Sequence, residues 1–328
     1  MQFDNNDILK LELSKMIQAD RRVIFDEKNN CLTFIQEECD SYSEVLKRAF
    51  QVINGLRFIL QCNEIGYLKV NLILDNNING HIDYCKEINK YCTDKTNLTI
   101  NEVLSSLELN LDEIFKLMND EKIYMAHIPE TKMQNVITPG WFITIMAAFE
   151  WECRGVNFSN ITDENADKDK QKVLDIIQGL IDNSVGKSKK HFKSYKKMIQ
   201  NSKLNLSSKL ECTLEEYKKY IKIIAENRYY INNEIFNIKD MALRLQQQRN
   251  NFAHGNLDKR IEKLTIIDIE VLRHLLYIIQ LDKCKVKEEI IKNCYELVFE
   301  EDVFTLEKIM EEPLKRLDKY VKNIKCEK

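Results

Sequence analysis

Nine of the fourteen residues from Ile266 to Ile279 are isoleucine, valine or leucine, and they do not keep to one face. A helix that is apolar almost all round has no side to show to water, so it sits at the centre of a bundle with other elements on every flank. The second half of the chain supplies those flanks. Apolar residues recur at steps of three and four over 141–154, 165–183, 189–201, 213–229, 234–254, 285–299 and 304–325, which predicts a helix over each. Three prolines and eight glycines in 328 residues leave such helices uninterrupted.

The first part of the chain reads differently. Arg22–Phe25 and Cys31–Gln36 are β-prone runs flanking Glu27-Lys28-Asn29-Asn30, the pattern of a hairpin. Val45, Ala49, Ile53, Leu56 and Leu60 then fall on one face of a helix, Leu68, Val70, Leu72 and Leu74 alternate as in a half-buried strand, and 101–120 is helical again. The polar stretch HIPETKMQNVITPG separates the two parts, and Thr138-Pro139-Gly140 opens the next helix with proline where its missing N–H costs nothing. The fold class expected is mainly α: a mixed α/β region over 1–130, acting to sense or regulate, followed by an all-helical region over 138–328.

Charge and cysteines narrow the function classes. The net charge of −3 gives no global attraction to nucleic acid, so any RNA contact has to come from a local patch. The ten cysteines include no C-x-x-C pair, which argues against a closely spaced zinc site. The N-terminus MQFDNNDILK lacks a secretory pattern and no run of about 18 apolar residues occurs. A cytoplasmic protein with reduced thiols and no membrane contact is expected.

The segment LRLQQQRNNFAHGN carries the chemistry. It ends a helix whose apolar stripe is Ile235, Ile238, Ala242, Leu245 and Phe252, and Arg249, four after Leu245 and three before Phe252, falls on that stripe. A guanidinium in such a place snorkels, pairs, or is aimed at a ligand. His254 closes the helix with Gly255 as the stop, and Asn250 shares its face. On an ideal helix Arg249 and His254 are about 140° apart, so a frayed last turn or a second copy has to bring them to one phosphate.

Arg249-Asn250-Asn251-Phe252-Ala253-His254 resembles the R-N-x-x-x-H form of the R-x(4–6)-H motif of HEPN ribonucleases, and the layout is most similar to ApeA-type abortive-infection proteins, over roughly 138–300. The resemblance implies an all-α HEPN bundle and a metal-independent RNA endonuclease of a defence or toxin type. It also implies catalytic roles for Arg249, Asn250 and His254, no cofactor, and a homodimer in which two motifs face each other. A phage-derived trigger or regulatory partner goes with it. The residue types suit the chemistry. RNA carries its own nucleophile in the 2′-OH, imidazole titrates near neutrality, guanidinium offers forked donors to phosphate, and the amide fixes either one. The alternative is a non-catalytic RNA-binding or scaffold protein on the same fold.

Two further features bear on the site. Glu150 and Glu152 sit among Phe149, Trp151 and Cys153, where an unpaired carboxylate is costly; one of them, Glu150 in first place, is positioned to orient Arg249, Arg244 or His254, or else pairs with Arg154 or faces solvent. Lys187, Lys189, Lys190, Lys193, Lys196 and Lys197 surround His191, Phe192 and Tyr195 in GKSKKHFKSYKK, a mixture that holds RNA phosphates while an aromatic stacks on a base, or else an ordinary solvated surface. Gly186-Lys187-Ser188 does not make a phosphate-binding loop, because Ile181 stands where its first glycine belongs.

Overall fold

The computed structural model describes residues 10–14, 23–26, 31–35, 42–61, 67–74, 77–85, 97–128, 137–155, 164–200, 205–256 and 260–300, with Leu306 and Met310. Of the helix expected over 304–325 only Leu306 and Met310 are described, both helical, and the turn at Glu27–Asn30 lies outside the described residues.

The first elements are β1 (Lys10–Ser14), β2 (Val23–Asp26), β3 (Cys31–Ile35), α1 (Tyr42–Leu60), β4 (Tyr67–Leu74) and β5 (Asn77–Cys85). They form one five-stranded sheet in the order β2-β3-β1-β4-β5. The hairpin is present as β2 against β3, antiparallel with Val23 opposite Phe34. The central strand β1 runs parallel to both β3 and β4. Strand β5, absent from the sequence reading, pairs antiparallel with β4 at the sheet edge; Ile78, Ile82 and Tyr84 alternate there with Asn77, Asn79, His81 and Asp83, as in a strand with one solvated face.

The chain then turns helical: α2 (Asn97–Leu107), α3 (Leu111–Asn119), α4 (Pro139–Glu152), α5 (Glu164–Asp182), α6 (Gly186–Gln200), α7 (Leu206–Glu216), α8 (Lys218–Ile231), α9 (Ile238–Ala253), α10 (Lys263–Lys283) and α11 (Glu288–Phe299). The molecule is mainly α, as expected. The single helix expected over 213–229 is instead two, α7 and α8, broken at Tyr217, whose hydroxyl donates to Asp282 at 2.6 Å. A helix start near 234 also gives way: Asn237 caps α9 by accepting from the Asp240 N–H at 3.1 Å, and Ile235 lies outside, 52% exposed.

Helix α10 is the hub, packed against α4, α8, α9 and α11. Its aliphatic side chains are buried with few exceptions, and Asp268, His274 and Gln280 are buried with them. Each has a partner. Asp268 meets Arg244 and Tyr229, His274 Nδ1 lies 3.3 Å from the Tyr295 hydroxyl, and the Gln280 amide donates to Glu152 and to the Tyr124 carbonyl, both at 2.9 Å. Burial and the nearby Arg273 guanidinium push the His274 imidazole down to about 3.

The buried cluster runs on into the helices before residue 129. The Tyr277 hydroxyl donates to the Ile59 carbonyl at 2.8 Å, deep in the interior, and α2 packs along α11. Gly55 is where α3 comes closest to α1: a Cβ there would lie 1.9 Å from the Phe115 ring. Among the described residues Cys31, Cys153, Cys284 and Cys294 are buried cysteines.

Candidate active site at the end of the motif helix

Helix α9 reaches the site with its buried face on α4, α7 and α10. That face consists of Ile238, Met241, Ala242, Leu245, Gln248 and Phe252, so Gln248 occupies the stripe position expected for Arg249. Phe252 anchors the last turn against Phe142 of α4, edge to face at 5.5 Å between ring centroids. Arg249 is displaced by one residue's rotation toward solvent, and its side chain is 37% exposed.

There it meets Glu150. The Nε of Arg249 donates to Glu150 Oε1 at 3.2 Å, and Nη2 lies 3.1 Å from the same oxygen. Of the two acidic residues singled out in α4, Glu150 is therefore the one on the motif arginine. Glu152 is buried and committed elsewhere: it accepts from the Tyr124 N–H at 2.8 Å, from Gln280 at 2.9 Å and from Lys283 at 2.8 Å. One carboxylate oxygen occupies two nitrogens of Arg249, and the guanidinium keeps further N–H groups for another acceptor.

The helix ends as a Schellman turn. Gly255, with φ of +81°, takes the left-handed position that glycine adopts without steric cost; its N–H donates to the Phe252 carbonyl at 3.0 Å and the Asn256 N–H donates to Asn251 at 3.0 Å. His254 is the capping residue, its N–H bonded to the Asn250 carbonyl at 3.0 Å. This geometry leaves the imidazole exposed at the tip, while the Asn250 side chain is half-buried. Among the described residues neither the Asn250 amide nor the His254 imidazole has a side-chain hydrogen-bond partner. Arg249, Asn250 and His254 thus share one helix end open to solvent, with Glu150 behind the arginine.

The six lysines do not join this cluster. They lie on α6, whose chief packing partner is α5. Lys187, Lys190, Lys193 and Lys197 are exposed, whereas Lys189 and Lys196 are half-buried and Lys196 donates to Gln178 at 2.6 Å.

One charged group near the site went unread in the sequence. Asp268 is fully buried on α10 and accepts from Arg244 of α9 through Nε at 2.9 Å and Nη2 at 3.0 Å, with the Tyr229 hydroxyl as a third donor. Burial pushes the Asp268 carboxyl up, against the pull of Arg244 and Tyr229; burial and Asp268 together push the Tyr229 phenol up. The signal was an aspartate inside an otherwise apolar helix, which has to find a cation. Among the described residues no group of three or more His, Cys, Asp or Glu side chains comes together that would hold a metal ion, and no helix is long and apolar enough to cross a membrane. No family model, curated protein or solved structure matches the chain.

Proposed function

We propose that this chain is a HEPN-type endoribonuclease of a defence or toxin type, acting in the cytoplasm as a homodimer and held quiet until a trigger, of phage origin, reaches it. The observation that carries the reading is the exposed end of α9, where His254 is free and Arg249 keeps donors beyond those given to Glu150. His254 takes the proton of the RNA 2′-OH, the 2′-oxygen bonds to phosphorus, and the bond to the 5′-oxygen breaks. That oxygen leaves with a proton from His254 of the partner subunit. Arg249 neutralises charge on the phosphorane oxygens, and Asn250 donates to phosphate or imidazole. The second copy answers the rotation of about 140° between Arg249 and His254 on one helix. Glu150 orients the guanidinium. The exposed lysines of α6 hold flanking phosphates, and the region before residue 130 senses or regulates.

A second reading, RNA binding or scaffolding without cleavage on the same fold, has one observation on its side: Glu150 already engages the arginine. The deciding experiment is cleavage of one RNA in EDTA by wild type and by His254→Ala, with folding checked by circular dichroism. The expected loss is about 10²–10⁴-fold, the usual worth of one general acid–base group, with 2′,3′-cyclic phosphate ends on the wild-type products. Equal rates from the two proteins would remove His254 from the chemistry. RNA binding with no cleavage by the wild type would favour the second reading.

A further inference from the structure

Gly140, Thr144 and Ala147 follow one another at steps of four and three along the outer side of α4, and none of them is buried. Ala147 lies three residues before Glu150 and four before Trp151, so it borders both. On one side of this small-residue ridge Glu150 meets Arg249. On the other side a guanidinium is stacked on an indole: Arg154, exposed in the helical turn Cys153–Gly155 that follows α4, lies over the Trp151 ring, 4.6 Å from its centroid. The arrangement recurs at the start of α4, where Arg273 of α10 lies over the Trp141 ring at 5.2 Å. Tyr124 links the two. Its N–H donates to Glu152 and its ring is 6.1 Å from that of Trp151, and three residues on, the His127 carbonyl accepts from the Trp141 indole at 3.1 Å. Among the described residues neither Arg154 nor Arg273 has a carboxylate in ion-pair reach. The two that the sequence offered to Arg154 are taken, Glu150 by Arg249 and Glu152 by Lys283. Burial pushes the Arg273 guanidinium down, against the pull of Glu270. A guanidinium laid flat on a ring, with its N–H edge unpaired, suits an anion that carries a flat ring of its own.

We infer that single-stranded RNA crosses α4 here, with the scissile phosphate at Arg249 and a neighbouring base stacked on the outer face of the Arg154 guanidinium. Trp151 backs that guanidinium and keeps it flat, and its free N–H edge takes a phosphate of the same strand. The strand continues past Tyr124 toward Arg273 and Trp141. Chemistry selects the occupant. Bases splayed from a single strand stack on guanidinium planes and aromatic rings, whereas a duplex keeps its base faces inside. A lone nucleotide needs one such stack. Here two stand ten residues apart on α4, about 15 Å of helix rise, a length for several nucleotides of a strand. A lipid surface calls for large apolar side chains between the cations, where this ridge has Gly140, Thr144 and Ala147. Those small residues let a backbone pass from Arg249 to Arg154 with no bulky side chain in the way.

This inference rests on the nuclease reading for the place of the scissile phosphate, but its test does not use cleavage. Full-length protein is titrated with a short single-stranded RNA of mixed sequence, 2′-O-methylated throughout so that it cannot be cut. The chain has two tryptophans, Trp141 and Trp151, so tryptophan emission reports on this strip alone. The RNA is expected to quench that emission, and the same sequence as a duplex to leave it unchanged. Arg154→Ala should weaken binding about 10-fold or more and lower its salt dependence. Arg154→Lys, which keeps the charge without the plane, should lose affinity yet keep the salt slope. Arg154 is exposed, so neither change threatens the fold, which far-UV circular dichroism checks. A wild type whose emission ignores the single strand, one that takes up the duplex or uridine monophosphate equally well, or an Arg154→Ala or Arg154→Lys variant that binds as tightly as wild type would each overturn the inference. Any of these beside a His254→Ala protein that has lost cleavage would leave the nuclease reading standing. Quenching and a weakened Arg154→Ala in a protein that cuts no RNA would keep the strand site and sink that reading instead.

Discussion

Arg244 and Arg249 leave the same helix five residues apart, each with a carboxylate partner, yet the partners differ sharply: Asp268 is fully buried, and Glu150 is 39% exposed. Arg244 at the middle of α9 is forked across both oxygens of Asp268 and also donates to the Tyr229 hydroxyl. Arg249 at the end of the helix uses a single oxygen of Glu150. Inside, every donor given up would strand a charge without water, so the pair is fixed with the fold. At the edge, water or a phosphate can replace the carboxylate at little cost, so the same residue type becomes available for binding and chemistry.

The largest effect that would break this contrast is in the middle of the helix. Asp268→Ala leaves the Arg244 guanidinium without its counter-charge; because the Arg244 side chain is 21% exposed, the loss belongs near the lower end of the range for severed buried pairs, about 3 kcal/mol by urea denaturation. Arg249→Ala in the same assay is expected to cost less than about 1 kcal/mol. If Arg249→Ala proves as damaging as Asp268→Ala, Arg249 is a prop of the core and the division between middle and end fails.

The sequence made that division only half legible. Leu245 and Phe252 are seven residues apart, and both Gln248 and Arg249 divide the gap into steps of three and four, so periodicity alone cannot say which turns inward. The structure buries Gln248, the residue without a formal charge. The apolar α10, the N-terminal hairpin and the proline-led start of α4 were all readable, because each rests on a local pattern. The partners of Asp268 and the break at Tyr217 were not, because each depends on what another element brings to it. For the site itself, the motif marked the helix end and the aromatic setting of α4 picked out Glu150 and Glu152 without choosing between them or among their partners, while the separation of the lysine helix from the site needed three dimensions.

A second prediction sharpens the contrast through pH. Burial, aided by Arg273, holds the His127 imidazole down at about 4 and that of His274 at about 3. Above the ordinary value of 6.5 both histidines are neutral folded and unfolded, and they add no pH dependence. As pH falls below 6.5 the unfolded chain takes the protons first, so stability drops until the folded imidazoles protonate, near pH 4 for His127 and pH 3 for His274. Each contributes a slope of up to about 1.4 kcal/mol per pH unit. Urea midpoints between pH 7 and 4.5 are expected to fall more steeply for wild type than for His274→Phe, which keeps the ring packing on Phe299 and removes the titrating group. Equal slopes would mean that the ring titrates alike in the folded and the unfolded chain, and the interior would not be the closed region described.

The smallest expected effect concerns the pair at the helix end. A double-mutant cycle on Glu150→Gln and Arg249→Gln isolates their coupling from everything else each residue touches. Both side chains are more than a third exposed and the contact runs through one oxygen, so the coupling in stability should be no more than about 0.5 kcal/mol. It should shrink further between 0.1 M and 1 M salt, as the screening length drops from about 10 Å to about 3 Å. The Arg244–Asp268 pair, cycled in the same way, should keep its coupling at high salt because the aspartate has no contact with solvent. The comparison turns on that difference in salt response rather than on either magnitude. A coupling at Glu150–Arg249 that is large and indifferent to salt would mean that the carboxylate clamps the arginine permanently, and a phosphate could not then displace it. A small, screened coupling leaves the guanidinium held in place but exchangeable, as a residue that must release a carboxylate to receive a phosphate has to be.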